Sequence, residues 1–150
     1  MKLKPILFSI AGILGFSFLL NFLWESLHGY SLYLDHIIAS DKYVRMMVYM
    51  SFMDAITILA MYLVCAFFIK DILWLNNMNH KRVSIFFILG LFVAVAAEYW
   101  AVYVTHEWLY NENMPVILGI GLSPLVQLSL TGGLAIWLTQ RISYGGENAL

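Results

Sequence analysis

Apolar residues run through this chain in four long stretches, and polar residues collect between them or towards one end. The stretches run from Pro5 to Leu27, from about Met46 to Ile69, from Val83 to about His106, and between Met114 and Thr139. Each reaches the roughly 20 residues that a helix rising 1.5 Å per residue needs to cross a bilayer. The pattern predicts an all-α, integral-membrane four-helix bundle. No low-complexity segment or Pro/Gly-rich linker divides it, so residues 1–150 read as a single four-span domain. Lys2 and Lys4 open the first stretch. Its apolar part exceeds the ~7–15 residues of a signal peptide, and no small-x-small cleavage site closes it, so it is read as a span.

The fourth stretch is irregular, because Ser123-Pro124 interrupts it and Gly119, Gly121, Gly132 and Gly133 weaken it. It is broken or kinked there, in one of two ways. A single helix bends at Pro124. Otherwise Ser123 caps a helix that starts at Pro124, and Met114–Leu122 becomes a partly buried external segment.

Composition supports lipid as the solvent. The chain is 62% hydrophobic and only 11% charged, more apolar surface than a soluble domain of this length can hide. A net charge of −1 without a basic run argues against nucleic acid as a partner. The single Cys65 excludes an internal disulfide. With both termini cytoplasmic, Lys2, Lys4, Lys70, Lys81, Arg82 and Arg141 lie inside, six against two for Lys42 and Arg45. The positive-inside rule then predicts a multi-pass protein of the cell inner membrane, N-in and C-in.

The ionisable residues within the stretches gather towards one end. Glu25 and His28 close the first, Asp54 comes early in the second, and Glu98 and His106 come late in the third. Alternating helices place all five near one membrane face, the outer one in this topology. A charge at a helix centre nominally costs ~2.5–3.5 kcal/mol, so such acids are functional candidates. Asp54 and Glu98 each lie about eight residues, or ~12 Å along a straight helix, inside the presumed end. No Lys or Arg lies at matching depth. Two such carboxyls can share a proton, one acting as acid and the other as base. Alternatively they glue two helices, with Tyr103, Thr57 or Gln127 as hydrogen-bond partners.

Asn21, Trp24, Glu25 and His28 share one side of the first helix. The Glu-x-x-His pair brings a carboxylate and an imidazole within reach of one metal ion, as in di-iron bundles. Asp54, Glu98 and His106 can complete a divalent-metal set. Equally, Glu25 and His28 can simply face water where the helix leaves the membrane.

The segment Thr105-His-Glu-Trp108-Leu-Tyr110-Asn111, followed by Gly119, Gly121 and Ser123-Pro124-Leu125-Val126-Gln127, resembles the membrane-embedded lycopene cyclase domain of microbial carotenoid enzymes. That family protonates an isoprenoid end group and later removes a proton, without net redox change. Val126 and Gln127 stand where its paired acids would be. The resemblance implies an isoprenoid or lipid pocket here, with acids supplied by Glu25, Asp54 and Glu98. The pattern Asn21-x-x-Trp24-Glu25-x-x-His28 also resembles one in small four-span bacterial membrane proteins of unassigned function.

The leading expectation is therefore an intramembrane acid–base enzyme of isomerase or cyclase type, acting on a lipid or isoprenoid-like substrate. Asp54 and Glu98 would transfer protons, while Glu25 and His28 guard the mouth or hold a metal. Asn21, Trp24, Tyr103, Trp108, Tyr110 and Gln127 would bind substrate. A proton- or metal-cation-coupled transporter, as a homodimer of small subunits, ranks second because the inner half offers no matching polar residues. An accessory membrane subunit ranks third.

Overall fold

The computed structural model describes residues 3–34, 36 and 38–145; Lys2, one of the charges counted above, lies outside them. Four helices long and apolar enough to cross a membrane make up the structure: α1 (Leu3–Leu32), α2 (Ser40–Ile69), α3 (His80–Tyr99) and α4 (Leu122–Gly145). This is the all-α four-helix bundle that the hydropathy pattern predicts. Helix α1 packs between α2 and α4, and α4 packs between α1 and α3. A lighter α2–α3 contact closes the ring.

Local chemistry sets the ends. Lys70 adopts a left-handed conformation (φ 59°) and its N–H returns to the Ala66 and Phe67 carbonyls, terminating α2. The Asn79 side chain accepts from the Arg82 N–H at 3.0 Å, capping α3. At its far end α3 widens into a π-helical turn, Trp100–Val104, closed by a Thr105 N–H to Trp100 carbonyl bond of 3.0 Å.

Burial is inverted relative to a water-soluble protein. Phe67 and Phe92 are 77% and 71% exposed, whereas Ser17, Asn21, Ser51 and Thr139 are fully buried. Such an exterior is satisfied by lipid, and helices in lipid turn small and polar residues towards each other. Helix α1 shows this as a stripe spaced every four residues, Ser9, Ile13, Ser17, Asn21, Glu25 and Gly29. That stripe corrects one expectation. The half of the bundle away from the acids does hold buried polar groups, chiefly Ser9, Ser17 and Thr139. Sequence reading missed them because a hydroxyl that bonds its own helix barely lowers hydropathy. Ser9 donates to the Pro5 carbonyl and Thr139 to the Ala135 carbonyl, each at 2.8 Å.

The irregular fourth stretch resolves into two pieces. Strands β1 (Val116–Ile117) and β2 (Ile120–Gly121) pair antiparallel around Leu118 and Gly119, both at positive φ (52° and 83°). This is a two-residue hairpin turn. The Leu122 N–H then bonds the Pro115 carbonyl at 2.8 Å, and α4 starts there. Pro124 falls in its first turn, where a missing N–H costs nothing. The sequence alternative with a helix starting near Ser123-Pro124 is thus the one observed, with Ser123 just inside the helix. No single helix spans Met114 to Thr139.

Two connections meet over the same end of the bundle. The Leu34 N–H bonds the Leu109 carbonyl, and the Asn111 N–H bonds the Leu32 carbonyl, both at 3.0 Å. This short ladder lays Tyr33 beside Tyr110 and brings the aromatic residues of both loops above the acids.

Candidate active site

The acids surround a cavity of about 100 Å³ bounded by all four helices and the paired loops. Glu25 and His28 come from α1, Met50 and Asp54 from α2, Glu98 from α3, and Gln127 from α4. Tyr33, His36 and Trp108 cover it from the loops. Glu25, His28, His36, Glu98 and Gln127 are buried, and Asp54 is half-buried. Among the described residues no Lys or Arg lines this space.

Gln127 is the hub. Its amide nitrogen lies 2.6 Å from Glu25 Oε1, 2.8 Å from Asp54 Oδ2 and 3.0 Å from Asn21 Oδ1. The orientation of the amide follows from its surroundings, since turning it over would set a carbonyl oxygen against three acceptors. An NH₂ group has only two protons for these three oxygens. Glu25 and Asp54 are also within hydrogen-bonding reach of each other. A proton held between the two carboxyls would supply the third donor, since like charges side by side in a buried site resist joint ionisation. Asn21 has a second donor in Thr131 Oγ1 at 3.1 Å and gives its own N–H to the Ser17 carbonyl at 2.8 Å.

Glu25 also faces His28, with Oε2 at 3.1 Å from Nε2. The other ring nitrogen of His28 lies 2.8 Å from Ser123 Oγ, in the first turn of α4. Edge-on contact with Tyr33 at 5.4 Å and Trp24 at 6.5 Å fixes the imidazole plane.

Glu98 stands on the opposite wall. Its carboxylate accepts a short hydrogen bond from the Tyr110 hydroxyl. The Trp108 indole nitrogen approaches the same carboxylate but is buried without a hydrogen bond of normal geometry. Burial, with the Glu98 carboxylate beside it, pushes the Tyr110 phenol far up, so it stays a donor at any physiological pH. Tyr110→Phe should therefore strip Glu98 of its donor, at a cost of about 1–3 kcal/mol. The thermal midpoint in detergent reads this change, and an unchanged midpoint would show that the bond contributes nothing.

The structure brings together Asn21, Glu25, His28, Asp54, Glu98, Trp108, Tyr110 and Gln127 at or beside this cavity. Asp54 pairs with Glu25 through Gln127; it was expected to pair with Glu98. Of the helix-gluing partners considered for the acids, Gln127 serves, while Thr57 bonds the Met53 carbonyl. Tyr103 lies on the exposed side, donating to the Gly119 carbonyl at 2.9 Å, and so steadies the hairpin. Trp24 lines a groove between α1 and α4. His106 does not join the proposed metal set. It is exposed at positive φ, with Nδ1 2.9 Å from the Val102 carbonyl. Among the described residues no three His, Cys, Asp or Glu side chains are placed to hold one metal ion.

Sequence reasoning missed His36, which stacks on Tyr33 at 4.8 Å and lines the cavity. The only available signal was an imidazole in the short connection at the acidic end. Ser123, a helix cap in one of the two readings of the fourth stretch, lies in the first turn of α4 and hydrogen-bonds His28. No family model matches the chain, nor does any curated protein or solved structure.

Proposed function

We propose that this membrane protein is an intramembrane acid–base enzyme acting on a lipid or isoprenoid-like substrate. One observation carries the reading. Two carboxyls, Glu25 and Asp54, are tied by one amide, and no Lys or Arg is among the described residues lining their cavity. A pair that shares one proton presents an acid and a base at the same point, the arrangement that proton transfer to and from carbon requires. Glu98, held by Tyr110 across the cavity, is a second proton donor or acceptor for the other end of the reacting group. Asn21 and Gln127 hold the pair, and Trp108 with Tyr33 and His36 shields it from bulk water. The excess of Lys and Arg in the connections assigned to the cytoplasm supports an inner-membrane setting with both termini inside.

Deuterium uptake tests the reading. Purified protein in detergent is incubated with total membrane lipid in D₂O, and lipid masses are followed. Wild-type protein should add deuterium to one lipid or isoprenoid class, and Asp54→Asn should slow uptake by about 10²–10⁴-fold. Uptake that is absent, or equal in the variant, would end the proposal.

A second reading, proton-coupled transport by a small dimer, gains from the buried hydroxyls beyond the acids. Ser17 Oγ is buried without a hydrogen-bond partner, one turn from Asn21. That is where a file of water or protons would continue towards the other face.

A further inference from the structure

Ser123, His28 and Glu25 form a hydrogen-bonded line whose geometry points to a nucleophilic serine. Ser123 Oγ lies 2.8 Å from His28 Nδ1, and His28 Nε2 lies 3.1 Å from Glu25 Oε2. Both distances fall within the ~2.6–3.2 Å that links nucleophile, base and orienting acid. The proton positions follow from the partners. Glu25 Oε1 takes an N–H from Gln127, and its other oxygen takes the Nε2 proton of His28. Nδ1 is then left as the acceptor for the serine hydroxyl. Such a constellation is recognised by geometry and role, whatever the residue order or surrounding motif. The ring is used in the reverse sense to the familiar serine proteases, with Nδ1 towards the nucleophile.

What lies on either side of His28 supplies the substrate. His28 and Ser123 stand at one end of an apolar groove of about 340 Å³ between α1 and α4, lined by Leu20, Leu23, Leu27 and Leu134 among others. From Leu20 to His28 the groove runs ~12 Å along the helix axis, from bundle depth to the loop-covered end. Its volume lies within the ~300–1,000 Å³ of small-molecule sites. Trp24 lines the same groove, and its indole N–H is buried without a hydrogen-bond partner. His28 also lines the polar cavity on its other side. One imidazole thus separates a hydrocarbon-lined groove from a polar space.

We propose that Ser123 is the nucleophile of an acyl-transfer site whose substrate is an ester-linked membrane lipid, its chain lying in the α1–α4 groove. The proposal rests on the lipid-enzyme reading above and names the bond attacked. The Ser123 oxygen bonds to the acyl carbon while its proton passes to His28 Nδ1. The ester C–O bond breaks, and the departing alcohol oxygen takes that proton, leaving the acyl group on Ser123. Water entering from the polar cavity gives its proton to Nδ1 and its oxygen to the acyl carbon. The carboxylic acid leaves, and the proton returns to the Ser123 oxygen. The indole N–H of Trp24 and the Ser123 amide in the first turn of α4 are the donors available to the developing oxyanion; the Leu122 amide is held by the Pro115 carbonyl and Pro124 has none. Glu25 acts through His28 as a positioning residue.

The test is covalent labelling of the full chain in detergent with hexadecyl fluorophosphonate, followed by peptide mapping. Wild-type protein should gain one adduct, on Ser123, with loss of fluoride. His28→Gln should slow labelling by about 10²-fold or more, the share expected of a general base. Leu23→Trp, which fills the groove, should slow the hexadecyl probe and spare an ethyl probe. The proposal falls if wild-type protein eluting as a folded species carries no adduct on Ser123. It also falls if His28→Gln labels at the wild-type rate. Labelling without deuterium uptake from D₂O would retain Ser123 and remove the carboxyl-pair chemistry; uptake without labelling would do the reverse.

Discussion

Glu25→Ala is expected to be the most damaging single substitution, lowering stability by about 2–5 kcal/mol and abolishing the deuterium uptake that the proposed acid–base chemistry requires. Glu25 meets His28 on its own helix, Gln127 on α4 and Asp54 on α2. Removing it leaves the His28 imidazole nitrogen without its carboxylate partner and opens a buried void between α1, α2 and α4, while the two Gln127 protons keep Asn21 and Asp54 as acceptors. Interhelical hydrogen bonds in lipid average only ~0.6 kcal/mol each, which sets the lower bound. Stripping one member from a buried charged cluster costs about 3–5 kcal/mol, which sets the upper. For a chain of this size, ~2–4 °C of thermal midpoint per kcal/mol makes the loss easy to read in detergent. Glu25→Gln separates the two effects. Its amide keeps the shape and can still bond His28, so most of the stability should survive, while the deuterium uptake expected of the proposed chemistry falls by about 10²–10⁴-fold. A Glu25→Ala protein melting within a degree of wild type would show that the cluster holds nothing together.

Gln127 carries the second large expectation, because one amide serves Asn21, Glu25 and Asp54 from a third helix. Gln127→Leu removes both donor protons and should lower stability by about 2–4 kcal/mol, as buried acceptors each lose ~1–3 kcal/mol of compensation. Gln127→Glu is nearly the same shape yet should be worse. It adds a third carboxyl where two already compete for protons, and even when protonated it brings one donor in place of two. Thermal midpoints in the order wild type, Leu, Glu would confirm that the amide acts by donating. The reverse order for Leu and Glu would mean that volume at this position matters more than hydrogen bonding.

The sequence pattern made the fold legible because lipid imposes a simple length rule. Each stretch of about 20 apolar residues must be a span, and the four observed helices overlap all four stretches. Their ends were less legible. Helix α2 begins at Ser40, ahead of the expected Met46, because Asp41, Lys42 and Arg45 extend it beyond the apolar run. The acid cluster was legible for the same reason as the spans. Residue number along an alternating set of helices gives depth, and depth alone brings Glu25, Asp54 and Glu98 to one level.

Depth does not give rotation. A helix facing lipid is apolar on its outer side and packs apolar or small residues on its inner side, so hydropathy alone does not mark which side chains will meet. Which carboxyl Asp54 would face was therefore open, and packing against α1 and α4 gave it Glu25 and Gln127. The same contacts put Tyr103 outside and Trp24 in the groove. His36 reached the cavity through a loop ladder between Leu32–Leu34 and Leu109–Asn111, a long-range pairing that no local pattern announces. Ser123 met His28 across 95 residues because the hairpin returns the chain to start α4 beside the end of α1. The sequence by itself determined four membrane spans and the gathering of acids at one end, because the cost of charge in hydrocarbon acts residue by residue. Only the tertiary structure decided that Glu25 and Asp54 meet at Gln127 and that His28 lies between Glu25 and Ser123. Those bonds depend on the angle at which each helix faces its neighbours, and that angle is set by packing across the whole bundle.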